Sequence, residues 1–337
     1  MNVAQLSSVA EAMVADNKGL LAADESTGTI KKRFDSINIE STEEARRDYR
    51  ETLFTTNGLG DFISGVILFD ETIRQSAADG TRLAEILERQ GILPGIKVDA
   101  GAKPLAGSDG ETVTEGLDGL AGRVAEYVDL GAKFAKWRAV IKIGDHIPSR
   151  ACIHVNAHAL ARYAKICQEG GLVPIVEPEV LMDGGHTIER CADVTEATLN
   201  AVYDELYAQG VVLEGTILKP NMVISGKECP KQAGVDEVAV ATVAILKRTV
   251  PSAVPGIMFL SGGQTEIQAT EHLHAMNANH APLPWKLSYS YGRALQEGAL
   301  KAWGGNNANR QSAQAMLLNR ARQNSSACAA TYTGEAA

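Results

Sequence analysis

Eight short apolar runs, separated by longer stretches of helical period, are the feature that most narrows the folds open to this chain. The runs are Gly19–Glu25, Ile63–Asp70, Leu93–Ala100, Ala132–Ile143, Leu172–Val180, Thr216–Val223, Pro255–Gly263 and Trp285–Gly292. Between them, Leu117, Leu120, Val124, Tyr127 and Val128 fall at the spacing of one helix face, as do Leu199, Val202, Tyr203 and Leu206. Ser41 with Glu44 three residues on reads as a capping box that opens an additional early helix. Gly131, Gly210 and the Gly170–Gly171 pair stand where helices should stop. Strands that alternate with helices pair in parallel through right-handed crossovers. Eight such units within ~290 residues fit one closed α/β barrel, the (β/α)8 or TIM arrangement, better than an open sheet. An open doubly wound sheet would also announce a Gly-x-Gly-x-x-Gly turn after its first strand, and none follows Gly19–Glu25. The expectation is a single barrel domain over residues 1–337 with extra helices at both ends. The last helix should run from about Ala308 to Gln323, followed by a short, loosely ordered tail over 324–337. Pro174 and Pro178 fall inside the fifth run, where proline is normally excluded, so a bulge or an early strand end is expected there.

Composition removes several alternatives. Apolar residues make up 45% and charged residues 22% of the chain, close to an ordinary globular protein and far from a disordered one. No stretch approaches the ~18 uninterrupted apolar residues of a membrane helix, and Met1 to Asn17, with Glu11 and Asp16, does not read as a signal peptide. The five cysteines are odd in number, irregularly spaced and without a Cys-x-x-Cys pair, which favours a reduced, cytoplasmic protein. A net charge of −9 with no basic stripe argues against nucleic acid. An acidic chain still binds a small anion if its few inward cations converge in one cleft.

The charges inside the apolar runs suggest that they do. Parallel strands covered on both faces should be unbroken Val, Ile and Leu. Here Asp24 and Glu25, Lys97 and Asp99, Arg138, and Glu177 and Glu179 fall in the later halves of their runs, with Lys136 and Lys219 just before the midpoints of theirs. Residues two apart on a strand point the same way, so Lys136 shares a face with Arg138, and Glu177 with Glu179. A lone charge at a strand end is ordinarily a residue emerging into solvent. Repetition at matching depth on five strands points instead to the C-terminal mouth of a barrel, where such enzymes keep their active sites. Ser261-Gly262-Gly263 at the end of the seventh run and Ser290-Tyr291-Gly292-Arg293 at the end of the eighth occupy the usual phosphate position of that fold. Glycine backbone, serine hydroxyl and a bidentate guanidinium suit a phosphate.

Lys219 is the most telling residue. A lysine at neutral pH is almost wholly protonated, so an amine nucleophile needs a desolvated site with other cations close by. Lys136 is such a cation, and Glu177 or Glu179 is available to shuttle protons through imine formation; the spacing leaves open which. The bland alternative is a structural ion pair between Lys219 and one of those glutamates. His154 and His158 lie four apart on a helix but with no carboxylate between them, and His272 and His274, two apart, face different ways. No metal and no other cofactor is expected.

Seven segments then carry a resemblance. They are Leu-Leu-Ala-Ala-Asp-Glu-Ser-Thr-Gly at 20–28, Gly-Ile-Lys-Val-Asp at 95–99, Phe-Ala-Lys-Trp-Arg at 134–138 and Pro-Ile-Val-Glu-Pro-Glu at 174–179. Leu-Lys-Pro-Asn-Met-Val at 218–223, Phe-Leu-Ser-Gly-Gly-Gln at 259–264 and Ser-Tyr-Gly-Arg-Ala-Leu at 290–295 complete the set. Over nearly its whole length the chain resembles the class I, Schiff-base fructose-bisphosphate aldolases. The resemblance implies a cytoplasmic homotetramer that reversibly cleaves fructose 1,6-bisphosphate to dihydroxyacetone phosphate and glyceraldehyde 3-phosphate. By motif match it makes Lys219 the Schiff-base lysine and Glu177 the general acid and base. Asp24 becomes the carboxylate that orients the C4 hydroxyl, Lys136 the supporting cation and Glu179 a partner of these lysines. Ser261, Gly262, Gly263, Ser290, Gly292 and Arg293 would form one phosphate cradle, with Ser26, Arg33, Lys97 and Arg138 on the other side. The same motifs would serve a relative that prefers fructose 1-phosphate or sedoheptulose 1,7-bisphosphate, or a barrel kept as an interaction scaffold. Animal members end in a tyrosine that reaches the active site, and Tyr332 is not its equivalent. Enamine protonation is therefore expected to use another acid or to be slow.

Overall fold

The eight apolar runs become eight parallel strands in the computed structural model, which describes residues 1–334. They are β1 Gly19–Ala23, β2 Ile63–Leu68, β3 Leu93–Lys97, β4 Phe134–Ile141, β5 Val173–Val180, β6 Ile217–Leu218, β7 Gly256–Phe259 and β8 Lys286–Tyr291. The ladder closes in the order β1-β8-β7-β6-β5-β4-β3-β2. Most strands stop short of the limits read from sequence, chiefly at their C-terminal ends. The residues that leave the ladder there, among them Asp24, Asp99, Lys219 and Ser261, are the ones that turn into the mouth of the barrel.

The expected bulge in β5 does not occur. β5 runs its full length and pairs with β4 at eight successive positions without a register shift. The reason is the parity of a parallel ladder, in which alternate residues bond to opposite neighbours. Val173 and Leu181 donate to Lys133 and Ile141 on the β4 side, whereas the carbonyl of Val176 accepts from Lys219 on the β6 side. Pro174 and Pro178 share the parity of Val176, so their missing N–H groups face β6. That strand is only two residues long and lies opposite Ile175 and Val176. One proline falls before it and the other after it, and no ladder bond is lost. Beyond the gap the Asn221 side chain takes over, accepting from the Val180 N–H at 3.0 Å.

The lower barrel interior is apolar. Leu20, Ala22, Ile67, Phe134, Val173, Ile175, Ile217 and Met258 form one inner cluster with Leu6, Ala10, Met13 and Val14. The last four belong to the helix Val3–Met13 and its C-cap, which plugs the end where the strands begin. Leu6 and Met13 are almost fully buried, a contribution of roughly 1.5–3 kcal/mol each. Among the described residues no helix is long and apolar enough to cross a membrane.

Two terminal expectations need correction. The early helix, Glu43–Phe54, is capped by Thr42 rather than Ser41: Thr42 Oγ1 accepts from the Ala45 N–H at 3.1 Å. Ser41 is engaged instead by Arg46, whose guanidinium donates to its carbonyl. The last helix runs Arg310–Cys328, five residues past the expected end, so the tail is not loose from residue 324. Asn324 is fully buried and accepts from the Thr270 hydroxyl at 2.7 Å, and Tyr332 is buried edge-on against His274. Residues 335–337 of the expected tail lie outside the described residues.

The inner cluster yields a stability test. A Cβ on Gly95 would lie 2.1 Å from the Phe134 ring, and one on Gly65 would lie 2.9 Å from it. Those two glycines make the hollow that Phe134 fills. Gly95→Ala should therefore destabilise by about 1–3 kcal/mol in denaturant unfolding, and Phe134→Leu should recover part of that loss in the double variant. Additive losses would show that the ring is not what Gly95 accommodates.

Candidate active site

The strand parity that points apolar residues inward continues upward into charge. Above Leu20 and Ala22 comes Asp24; above Phe134 come Lys136 and Arg138; above Val173 and Ile175 come Glu177 and Glu179; above Ile217 comes Lys219. These side chains line a cleft of about 760 Å³, together with Ser26, Arg33, Lys97, Asp99, Ser261, Gly262, Gly263, Ser290, Gly292 and Arg293. Every residue expected at the site reaches it.

The charges neutralise one another. Lys136 Nζ lies 2.7 Å from Asp24, 3.5 Å from Glu177 and 3.9 Å from Asp99. Lys219 Nζ lies 3.2 Å from Glu177 Oε1, Lys97 pairs with Asp99 at 2.7 Å, and Arg138 pairs with Glu179. Lys136, Glu177 and Lys219 are each less than 5% exposed. Removing such charges from water costs several kcal/mol per ion unless partners replace the solvent, and here cations and carboxylates alternate one for one. Burial opposes ionisation of Asp24, but Lys136, Lys219 and Lys97 outweigh it and hold that carboxyl down at about 2. Burial likewise works against the Lys136 charge, and Asp24, Glu177 and Asp99 overcome it, so the ammonium is held well above the usual lysine range. Glu177 Oε2 is buried and accepts no hydrogen bond. Oε1 thus faces Lys219 at 3.2 Å, while Oε2, with no hydrogen bond of its own, faces Lys136 at 3.5 Å, so the carboxylate sits between the two lysines.

The far rim is built from backbone. The Gln264 N–H closes a turn onto the Ser261 carbonyl across Gly262 and Gly263. The helix Arg293–Trp303 starts at Gly292 with no side chain capping it, so its first N–H groups remain available to an anion. Ser290 Oγ, buried and without a partner, lines the same corner. Leu260 donates to the Pro220 carbonyl at 3.1 Å, which ties this corner to the residue after Lys219. Arg33 is placed differently from the expectation. Its guanidinium pairs with Glu25 at 2.7 Å and lies 3.5 Å from where a Cβ on Gly292 would be, which puts it beside the glycine cradle rather than with Arg138. The cause is topological: the helix Thr27–Asp35 follows β1, and β1 is the neighbour of β8.

Some lining residues were not singled out as site residues from sequence. Asp99 joins Lys97 to Lys136 and accepts from the Arg138 and Gly101 N–H groups; its place on the Lys97 face was the available signal. Met182, Asp183 and Lys227 sit on loops after β5 and β6 and carry no periodic signature. His154 and His158 face Glu205 of the neighbouring helix Ile188–Ala208, at 3.5 and 3.0 Å. Among the described residues no group of three His, Cys, Asp or Glu side chains is disposed to hold a metal ion.

Comparison with known proteins agrees with this geometry. The family model described as fructose-bisphosphate aldolase class-I matches residues 5–337. A probable fructose-bisphosphate aldolase class 1 of Xanthomonas campestris is 59% identical over 99% of this chain and 100% of its own length. The cytosolic fructose-bisphosphate aldolase 4 of Arabidopsis thaliana is 56% identical over 95% of this chain and 81% of its own. Among solved structures, a Plasmodium falciparum fructose-bisphosphate aldolase, crystallised with TRAP and a small-molecule inhibitor, superposes with a TM-score of 0.97. It is 50% identical, over 99% of this chain and 96% of that one.

The cradle also carries an acid-sensitive support. His272 Nδ1 lies 2.6 Å from Gln264 Oε1, just beyond the glycine turn, and burial pushes the imidazole down to about 4. Unfolded, it would titrate near 6.5. Between those values the unfolded chain binds a proton that the folded form refuses, so stability is present above pH ~6.5 and is lost as pH falls towards 4. The loss should be about 3 kcal/mol. Urea unfolding of the wild type and His272→Gln at pH 7 and pH 4.5 should show a smaller pH dependence in the variant. Parallel pH curves would remove His272 from the account.

Proposed function

The chain belongs to the class I fructose-bisphosphate aldolase family, and from that premise we propose that Lys219 forms the Schiff base while Glu177 moves its protons. The reaction is the reversible cleavage of fructose 1,6-bisphosphate to dihydroxyacetone phosphate and glyceraldehyde 3-phosphate, a lyase step of glycolysis. The observation that carries the assignment is the 3.2 Å approach of Lys219 Nζ, just past the end of β6, to Glu177 Oε1 on β5, both buried above an apolar floor.

The Lys219 amine adds to the C2 carbonyl, and Glu177 gives the departing hydroxyl its proton as the carbinolamine loses water. The iminium then draws in the electron pair of the C3–C4 bond as the C4 hydroxyl loses its proton to Glu177. Asp24, ionised and weakly basic at about 2, suits the orienting of that hydroxyl rather than its deprotonation. Lys136 stays cationic between Asp24 and Glu177 and stabilises negative charge as it develops on oxygen. Glyceraldehyde 3-phosphate leaves, the enamine takes a proton at C3, and water releases dihydroxyacetone phosphate from Lys219. Tyr332 packs against His274 and does not line the cleft, so it is not placed to supply the enamine proton.

The phosphate next to the ketone belongs in the Ser261–Gly263 and Gly292–Arg293 corner, because that corner is bonded to the residue following Lys219. The distal phosphate falls to Lys97, Arg138 and Ser26. Two cationic ends favour a bisphosphate over fructose 1-phosphate. A cytoplasmic homotetramer is part of the same proposal, and the exposed Tyr207 and Val240 side chains supply apolar surface that such an assembly would cover.

Borohydride added with dihydroxyacetone phosphate should inactivate the protein, and peptide mapping should place the reduced adduct on Lys219. An adduct on Lys97 or Lys136 would overturn the assignment. Activity should survive EDTA; a loss that zinc restores would contradict Schiff-base chemistry without a metal.

A further inference from the structure

We propose that Met182 is a positioning residue for phosphate binding, acting as a wedge that sets the direction of the Gly262 and Gly263 N–H groups. The proposal rests on the reading of the Ser261–Gly263 turn as a phosphate cradle.

Met182 lies on the loop after β5, is 4% exposed, and lines the cleft. Its side chain runs along the underside of the glycine turn. A Cβ on Gly263, whose φ is +77°, would lie 2.0 Å from Met182 Cγ and 3.0 Å from its sulfur. One on Gly262 would lie 3.0 Å from Met182 Cε and 3.0 Å from Glu179 Oε1. The thioether therefore occupies the space that side chains on this turn would need, and both residues are glycine where it passes.

Met182 is itself held from behind. Its carbonyl accepts from the Lys227 N–H at 2.8 Å, Gly184 accepts from Glu228 at 3.0 Å, and Gly226 donates to His186 at 2.8 Å. These three bonds join the loop after β5 to the loop after β6. A Cβ on Gly226 would lie 2.2 Å from the Gly184 carbonyl oxygen, so the two loops touch along their backbones. Met182 thus bridges a fixed two-loop wall and a turn made of the most conformationally free residues in the chain. Two consecutive glycines with nothing beneath them would sample many orientations, and ordering them would weaken phosphate binding. The wedge removes that freedom before the ligand arrives. A flexible, unbranched side chain suits a gap of this irregular shape.

The test separates positioning of phosphate from chemistry at Lys219. Imine formation is measured by borohydride trapping with dihydroxyacetone phosphate and, separately, with phosphate-free dihydroxyacetone; inorganic phosphate is titrated as a competitor. Met182→Ala should weaken half-saturation by dihydroxyacetone phosphate and competition by phosphate on the order of ten-fold, the size of one modest hydrogen bond. Trapping of dihydroxyacetone should stay as in the wild type, and Met182→Leu, which keeps the volume, should restore phosphate affinity. Equal losses with both ketones would mean a general structural role, and unchanged phosphate affinity would mean no role; either overturns the proposal. Should the alanine variant fail to fold, Met182→Val, which removes the end that reaches Gly262, carries the same comparison. If the wild type traps neither ketone, the Schiff-base reading fails instead, and direct calorimetric titration of inorganic phosphate into wild type and Met182→Ala still reports on the wedge.

Discussion

Buried charge is the constraint on which the rest of this structure depends. Lys97, Lys136, Arg138 and Lys219 stand against Asp24, Asp99, Glu177 and Glu179 in the upper half of a barrel whose lower half is sealed by aliphatic side chains. The most buried members of this set, Lys136, Glu177 and Lys219, are tolerable only with partners of opposite sign, because an unpaired ion there would cost several kcal/mol. The partners come from different strands: Asp24 after β1, Asp99 after β3, Lys136 on β4, Glu177 on β5 and Lys219 after β6. The ion lattice is therefore complete only when the barrel is closed. Barrel closure and the proposed chemistry draw on the same contacts.

The fold supplies this arrangement with simple means. Alternation along each strand carries the inward face from leucine and valine at the bottom to charge at the top, with no change of direction. Short strands at the back, β6 above all, let Lys219 and Asn221 leave the ladder early and take up side-chain duties. The proposed phosphate cradle is kept apart, on loops and a helix start that no side chain caps. The members of the proposed chemical centre hold one another through ion pairs. In the proposed cradle the glycine turn takes its support from the Met182 side chain, with the His272–Gln264 contact just beyond it.

Much of this was legible in the amino-acid order, and the exceptions have identifiable causes. Periodicity located all eight strands, since burial on both faces demands apolar runs, and the i, i+2 rule put Lys136 with Arg138, and Glu177 with Glu179, on a shared face, which in the structure is the inward one. Spacing could not rank Glu177 against Glu179. The structure separates them by partner: Glu177 lies against Lys219 and Lys136, and Glu179 against Arg138. The proline rule misled at β5 because it concerns a strand with two full neighbours, whereas β6 is only two residues long. Arg33 was assigned to the wrong rim because a helix following β1 faces β8 only once the sheet has closed. Met182, Asp183 and Lys227 stayed hidden because loop residues obey no period.

The central claim is that the Glu177 carboxylate, and not that of Glu179, moves the protons that make and break the Lys219 imine. Rapid-mixing measurement of imine formation and of carbon–carbon cleavage in Glu177→Gln tests it most directly. The amide preserves volume and hydrogen bonding but carries no exchangeable acid proton. Both steps should slow by about 10²–10⁴-fold with substrate affinity nearly unchanged. Glu177→Gln leaving both rates intact while Glu179→Gln abolishes them would contradict the account.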